Sequence, residues 1–181
     1  MPYDRSADEQ SSDYITISLA NRQSVHPVNE QQLVDAARLV LQQSRFTSAT
    51  ISLAVVDDPT IHDLNRRFLN HDWPTDVLSF ALDERDGHLE GEVILSADTA
   101  AAEAAEIGWP AAAEQLLYVI HGTLHLVGYQ DKTPEEAQAM QAAEDKYLRE
   151  FGIDQPQRAQ STDGADGLTP GANRDEGQTA T

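Results

Sequence analysis

The chain has 181 residues, 40% of them hydrophobic, which is enough for one domain with a sizeable core. Its formal net charge of −19 lies mostly on residues 15–154, so RNA could be bound only through a local basic patch and not through bulk positive charge. The sequence has no cysteine for a disulfide or thiolate ligand, no apolar run that could span a bilayer and no secretion signal, so we expect a cytoplasmic protein.

The first half of the chain predicts strands and helices in alternation. Residues 1–13 are polar and are expected to form a disordered tail. The alternating segment at 14–20 predicts a strand, and Asn29 predicts the N-cap of a helix. A second alternating strand follows at 49–56, and a second helix should begin at Asp58, which precedes a proline, and end near residue 70.

The second half begins with a pair of strands and continues with helices. The segments 76–82 and 92–96 predict a hairpin around an Arg-Asp-Gly-His turn. Three helices follow, each ended by a glycine: 96–108, 110–128 and 133–152. The element order therefore predicts an α+β fold, a mixed sheet covered by helices in one small domain over residues 14–154. Residues 155–181 have few large apolar side chains and are expected to be disordered.

The most informative stretch is HGTLHLVGYQD, residues 121–131. His121 and His125 are one helical turn apart, so their imidazoles should project from the same side of a helix and could bind a cation such as Zn²⁺. The helix should stop at Gly128, where the chain can reverse and bring Asp131 over the ion. Two nitrogens and one carboxylate would leave a position for water, which the ion would activate.

Other interpretations of these residues are open. The two histidines could be ordinary helix residues, although imidazoles are costly to bury without partners in so apolar a helix. A zinc peptidase is less favoured, because Gly122 stands where the HExxH pattern has its glutamate base. His71 is a spare ligand candidate. Glu144 is either a border residue of its helix or a buried partner for backbone or for the second nitrogen of a histidine.

Three motifs together resemble the YbeY family of bacterial endoribonucleases. HGTLHLVGY is followed by a ligand-type residue at 131, WPTDVLSFAL lies upstream, and GEVILS lies between them. The resemblance spans roughly residues 14–152 and implies a small α+β domain with a mixed four-stranded sheet and about five helices. It also implies one Zn²⁺ ion, with His121 and His125 as the first two ligands.

The chain departs from the family pattern HGxLHLxGYDH at two positions of this motif. Asp131 stands at the third zinc-ligand histidine, and Gln130 replaces the usual aspartate. Carboxylate is an acceptable zinc ligand, so we expect the site to be retained with altered affinity. The family also tends to carry an arginine at the position of Leu69, and Arg66 or Arg67 are the candidates to replace its charge.

The resemblance implies a single-strand-specific, zinc-dependent endoribonuclease. Such an enzyme would act in maturation of the 3′ end of 16S ribosomal RNA and in ribosome quality control, with ribosomal RNA and ribosomal subunits or associated proteins as partners. Because the body is acidic, the RNA would be presented by the ribosome or by a partner protein. The alternatives are a ribosome-assembly factor whose metal is structural, which Leu69 favours, and the zinc peptidase.

Overall fold

A four-stranded sheet with five helices forms the fold in a computed structural model that describes residues 14–156. The strands are β1 (Ile15–Asn21), β2 (Ser48–Val56), β3 (Val77–Arg85) and β4 (His88–Ser96). The helices are α1 (Glu30–Gln42), α2 (Asp58–Leu69), α3 (Ala97–Ile107), α4 (Ala111–Leu126) and α5 (Pro134–Glu150). The predicted α+β fold is thus confirmed. The tails predicted at 1–13 and 155–181 lie outside the described residues, apart from residues 155 and 156.

The sheet is mixed and has the strand order β1-β2-β4-β3. β1 pairs with β2 and β2 with β4 in parallel, whereas β3 pairs with β4 in antiparallel. The hairpin was predicted correctly, but both of its strands extend further toward the turn than expected. Asp86 and Gly87 have positive φ angles of 51° and 79°, which match the right-handed twist of the flanking strands. Pairing therefore continues to Arg85 and His88, through polar residues that do not read as a strand.

Side-chain caps begin most of the helices where the sequence predicts them. The Asn29 side chain accepts a hydrogen bond from the Gln32 amide, and Ser96 caps α3. Thr133 and Glu136 form a capping box at the start of α5. α2 is capped by Asp57, the residue before its predicted start. No helix within the described range has the length and hydropathy needed to cross a membrane.

The two faces of the sheet are covered by different helices. α4 packs on β3 and β4 and is flanked by α1, α3 and α5, whereas α2 packs on the other face of the same strands. The alternation of β4 produces this division: Val93 faces α4, and the next residue, Ile94, belongs to the cluster with Ile61 of α2. α4 is buried almost all round, including two residues in its first turns, Glu114 and Gln115.

Gly122 lets α4 lie directly on the sheet. A Cβ atom built at this position would stand 2.6 Å from Val93 Cγ1 and 2.8 Å from Ser79 Oγ. Both neighbours belong to the sheet, so a side chain at this position would push the helix away from β3 and β4. The glycine is therefore a packing requirement of the fold.

We expect Gly122→Ala to lower the free energy of unfolding. Overpacking a core costs about 1–3 kcal/mol, and the better helix propensity of alanine returns only about 1 kcal/mol. Urea denaturation would measure the difference, with Gln138→Ala on the exposed side of α5 as the control expected to change stability by less than about 0.5 kcal/mol. A variant as stable as the wild type would mean that α4 moves off the sheet without cost.

Candidate metal centre

His121 and His125 lie side by side at the C-terminal end of α4. Their Nε2 atoms are 3.0 Å apart, and the two rings meet edge to face with centroids 4.5 Å apart. The one-turn spacing produces this approach because residues four apart share one side of a helix. Each side chain is about one-fifth exposed, so the pair opens toward solvent from an otherwise buried helix.

Asp131 completes a group of three ligand-type atoms. α4 ends at Leu126, and Gly128 with a φ of 110° turns the chain back, as its position after the motif predicts. The Asp131 Oδ2 atom then lies 3.5 Å from Nε2 of His125 and 3.8 Å from Nε2 of His121. Within residues 14–156, these three residues are the group of His, Asp and Glu side chains with the spacing to hold a metal ion.

The other ring nitrogen of each histidine already has an acceptor. His121 Nδ1 is 2.6 Å from Glu144 Oε1 on α5, and His125 Nδ1 is 3.0 Å from the Tyr129 carbonyl oxygen. A carboxylate and a carbonyl can only accept, so both Nδ1 atoms donate and both neutral rings present an Nε2 lone pair to the group. Glu144 thus has the second of its two predicted roles, the one that supports a histidine.

This arrangement suits a cation. Two lone pairs that face each other at 3.0 Å repel unless a proton or a metal ion lies against them, and the Asp131 carboxylate adds a third donor on the same side. Two imidazoles and one carboxylate are ligands that a catalytic zinc ion commonly takes. The residues present therefore fit a divalent ion.

The two imidazoles have different pKa values although they are neighbours. Burial lowers the pKa of His121, but the hydrogen bond and charge of Glu144, with the charges of Asp76 and Asp131, together raise it above its ordinary value. Burial and repulsion from His121 lower the pKa of His125, which favours its neutral form.

Acidic side chains surround Tyr118, which precedes His121 by three residues on α4. The Tyr118 hydroxyl donates to Glu103 Oε2 at 2.8 Å. Burial and the charges of Glu114, Asp76 and Glu103 raise the pKa of Tyr118, so the phenol remains protonated. The carboxylates whose charge reaches the ligand group are Glu144, Asp76 and Asp131, which act on His121, and negative charge there favours a bound cation.

Gly122 gives no support to the peptidase interpretation. The HExxH pattern needs a glutamate at this position that reaches the metal and acts as a base. Here the position faces Val93 and Ser79 of the sheet and has no room for a side chain.

The remaining candidates lie elsewhere. Arg66 and Arg67 are on α2, where both bind Asp63 at 2.9 Å. The ring of His71 stacks on Trp73, and His71 is not a member of the ligand group. The structure does not bring these three predicted residues to His121 and His125.

Two contributions to the site were missed by sequence reasoning. The Tyr129 carbonyl that orients His125 has no side-chain signal, because any residue could supply it. Asp76 is the second, and its side chain accepts a hydrogen bond from the Val77 amide at 2.8 Å. Its charge also reaches His121, through packing of β3 beside α4 that no local pattern encodes.

Comparison with known proteins identifies the relatives of this chain. The family model described as Endoribonuclease YbeY matches residues 18–152. Endoribonuclease YbeY of Rhodopirellula baltica is 40% identical over 133 residues, which cover 68% of this chain and 69% of that protein. The same enzyme of Syntrophotalea carbinolica is 39% identical, with 71% and 90% covered. A solution structure from Thermotoga maritima matches with a TM-score of 0.53 at 25% identity, covering 76% of this chain and 91% of that one.

We expect the protein to bind one divalent ion and Asp131→Ala to weaken its zinc affinity by more than about 100-fold. Loss of an outer partner typically costs about 10- to 100-fold, and Asp131 would contact the ion itself. Competition with a chromophoric chelator would measure the affinity. Asp131→His should retain zinc because imidazole is an equivalent ligand. The control is Asp154→Ala, a carboxylate that is 94% exposed. Equal affinity in Asp131→Ala would remove Asp131 from the ligand set.

We expect Glu144→Ala to lower zinc affinity by about 10- to 100-fold without removing a ligand, because His121 would lose the acceptor that holds its tautomer and ring orientation. Glu144→Gln keeps an acceptor oxygen and should lose less. The same chelator competition applies, and Glu135→Ala, an exposed position in the first turn of α5, is the control. Equal losses in Glu144→Ala and Glu144→Gln would contradict an orienting hydrogen bond.

Proposed function

This chain belongs to the endoribonuclease YbeY family and is a hydrolase that acts on RNA, and we propose which RNA it cleaves and how. The proposed activity is zinc-dependent cleavage of single-stranded RNA within the strand. Its proposed place is maturation of the 3′ end of 16S ribosomal RNA and ribosome quality control, in the cytoplasm. One observation supports the proposal above all. Ligand atoms of His121, His125 and Asp131 lie close together, and the Nδ1 atom of each histidine is hydrogen-bonded elsewhere, so both Nε2 atoms can bind an ion.

His121, His125 and Asp131 are proposed to hold the ion and to act in catalysis through it. A divalent ion bound there would supply Lewis-acid activation of water and of the scissile phosphate. Glu144 and the Tyr129 carbonyl keep the two Nε2 atoms available as ligands and prevent the rings from turning. The partial exposure of the three side chains leaves an approach for an RNA phosphate from solvent.

Positive charge for the RNA backbone is proposed to come from Arg66 and Arg67. Both guanidinium groups are about two-thirds exposed and share one carboxylate, Asp63. Exposed ion pairs of this kind contribute less than about 1 kcal/mol, so an arriving phosphate could recruit either arginine at small cost. Leu69 cannot take this role because its side chain has no charge, and it packs against the cluster around Ile61 under α2.

The acidic body supports the proposed choice of substrate and partners. A single strand has a lower linear charge density than a duplex and is therefore repelled less by a chain with a net charge of −19. The same repulsion makes unaided capture of long RNA unfavourable. Ribosomal subunits or associated proteins are therefore proposed to present the strand.

We expect the purified protein with zinc to cleave a labelled single-stranded oligoribonucleotide at internal positions and to leave the matching duplex intact. Chelator should abolish cleavage, and added zinc should restore it. His125→Ala should reduce cleavage by at least about 100-fold, as expected when a metal ligand is lost. His26→Ala is the matched control, because His26 pairs with Asp98 and is not in the ligand group.

One outcome would favour the non-catalytic alternative. A protein that holds zinc and leaves single-stranded RNA intact, while its deletion strain accumulates ribosomal RNA with defective ends, would be an assembly factor with a structural metal. The apolar Leu69 at the usual arginine position is the observation that keeps this alternative in view.

A further inference from the structure

Exposed aromatic rings gather where α2 ends and β3 begins. We name the four residues Phe68, His71, Trp73 and Phe80 the aromatic platform. Phe68 is 64% exposed and Trp73 is 57% exposed, although large aromatic side chains usually bury most of their surface. Exposed apolar side chains that lie together commonly mark a binding site.

The rings of the platform support one another in pairs. Phe68 and Phe80 meet edge to face with centroids 5.7 Å apart, and His71 stacks on Trp73 at 4.6 Å with nearly parallel planes. In each pair a strongly exposed ring rests on a less exposed one. The exposed rings are therefore held in place and still present aromatic surface to solvent.

The backbone beneath the platform is also held. Asn65 is buried in α2, and its side-chain amide donates to the Trp73 carbonyl at 2.8 Å. The His71 amide donates to the Asn65 carbonyl at 3.4 Å. Because these bonds already fix the loop, little conformational entropy of the protein would be lost when a ligand stacks on the rings.

A short segment of chain connects the platform to the start of β3. Asp76 follows Trp73 by three residues, a span of at most about 11 Å. The Asp76 carbonyl accepts from the Ser96 amide at 2.9 Å, which ties this segment to the end of β4. Asp76 immediately precedes β3, which packs against α4, so the segment from 73 to 76 runs toward the helix that carries His121 and His125.

The charge beside the platform suits a phosphate chain. Arg66 and Arg67 immediately precede Phe68 and share Asp63, so this turn of α2 has one positive charge in excess on a protein that is otherwise strongly acidic. Asp72, between His71 and Trp73, is paired with His62 at 3.0 Å. Aromatic rings next to arginine are the combination that binds single-stranded nucleic acids, because every base has a face that can stack.

We propose that the aromatic platform stacks bases of the single-stranded RNA whose backbone is cleaved at the metal centre. This inference rests on the proposed function, and it assigns base recognition to Trp73 and Phe68 and phosphate contact to Arg66 and Arg67. Stacking is tolerant of sequence, so the platform selects unpaired bases over paired ones and does not read a particular base.

The first test is binding of a fluorescent 2′-O-methyl oligonucleotide, which resists ribonucleases, measured by anisotropy with the zinc-loaded protein. Trp73→Ala and Phe68→Ala should each raise the Kd about 5- to 150-fold. Trp73→Phe should keep most of the affinity, because a ring remains. Tyr14→Ala is the matched control, since Tyr14 is 64% exposed but precedes β1, at the far edge of the sheet from β3.

An abasic strand of the same length separates stacking from charge. The wild type and Trp73→Ala should bind it equally, because it has no base to stack. Arg67→Ala should weaken the abasic and the normal strand alike. An unchanged Kd of Trp73→Ala and Phe68→Ala for the normal strand would overturn the platform. The platform would also be overturned if these two variants lost binding to ribosomal subunits while that Kd stayed unchanged, since the rings would then contact a protein.

Cleavage kinetics distinguish this inference from the proposed function. If both hold, Trp73→Ala should raise KM for single-stranded RNA and leave kcat and zinc content near those of the wild type. If the wild type cleaves RNA and Trp73→Ala has the same KM, the platform is overturned and the proposed function stands. Strand binding that depends on Trp73 in a protein that cleaves no RNA would support the platform and overturn the proposed catalysis.

Discussion

The direct contact between α4 and the sheet at Gly122 is the constraint on which the rest of the molecule depends. With no side chain at this point, the helix lies against Val93 and Ser79, and its apolar residues fill the centre of the core. The same contact sets the rotation of the helix about its axis. Once that rotation is set, His121 and His125 must point toward the side where α5 and the start of β3 approach.

Burial of this helix makes the polar atoms of its histidines expensive, and the fold compensates each of them separately. Glu144 comes from α5, and the Tyr129 carbonyl comes from the chain just after Gly128. These acceptors leave the two Nε2 atoms with a single shared direction and with Asp131 beside them. The result is a group of three atoms that could hold a metal ion, because the other hydrogen-bonding capacity of the imidazoles is already used.

Charge is distributed unevenly around this centre. The body of the chain is acidic, and the buried carboxylates near His121 suit a cation. A polyanionic strand would approach such a surface poorly, unless it met neutral or basic groups on the way. The end of α2, with two arginines and exposed rings, offers such groups next to the segment that leads to His121. Stacking then provides affinity that bulk charge cannot.

The sequence by itself determined the element order, the mixed sheet and the group of ligand residues, because those properties follow from local patterns. Alternation, capping residues and a one-turn spacing of histidines act over a few neighbours in the chain. The tertiary structure alone decided which partners serve the histidines. Glu144 bonds to His121 instead of standing at the border of its helix, a backbone carbonyl bonds to His125, and Asp76, just before β3 and 45 residues earlier in the chain, acts on His121. It also decided that Arg66 and Arg67 lie on the opposite side of the sheet from α4, paired with Asp63. These outcomes depend on which faces of distant elements pack together, and the free energy of that packing is shared over the whole core instead of being written in any one segment.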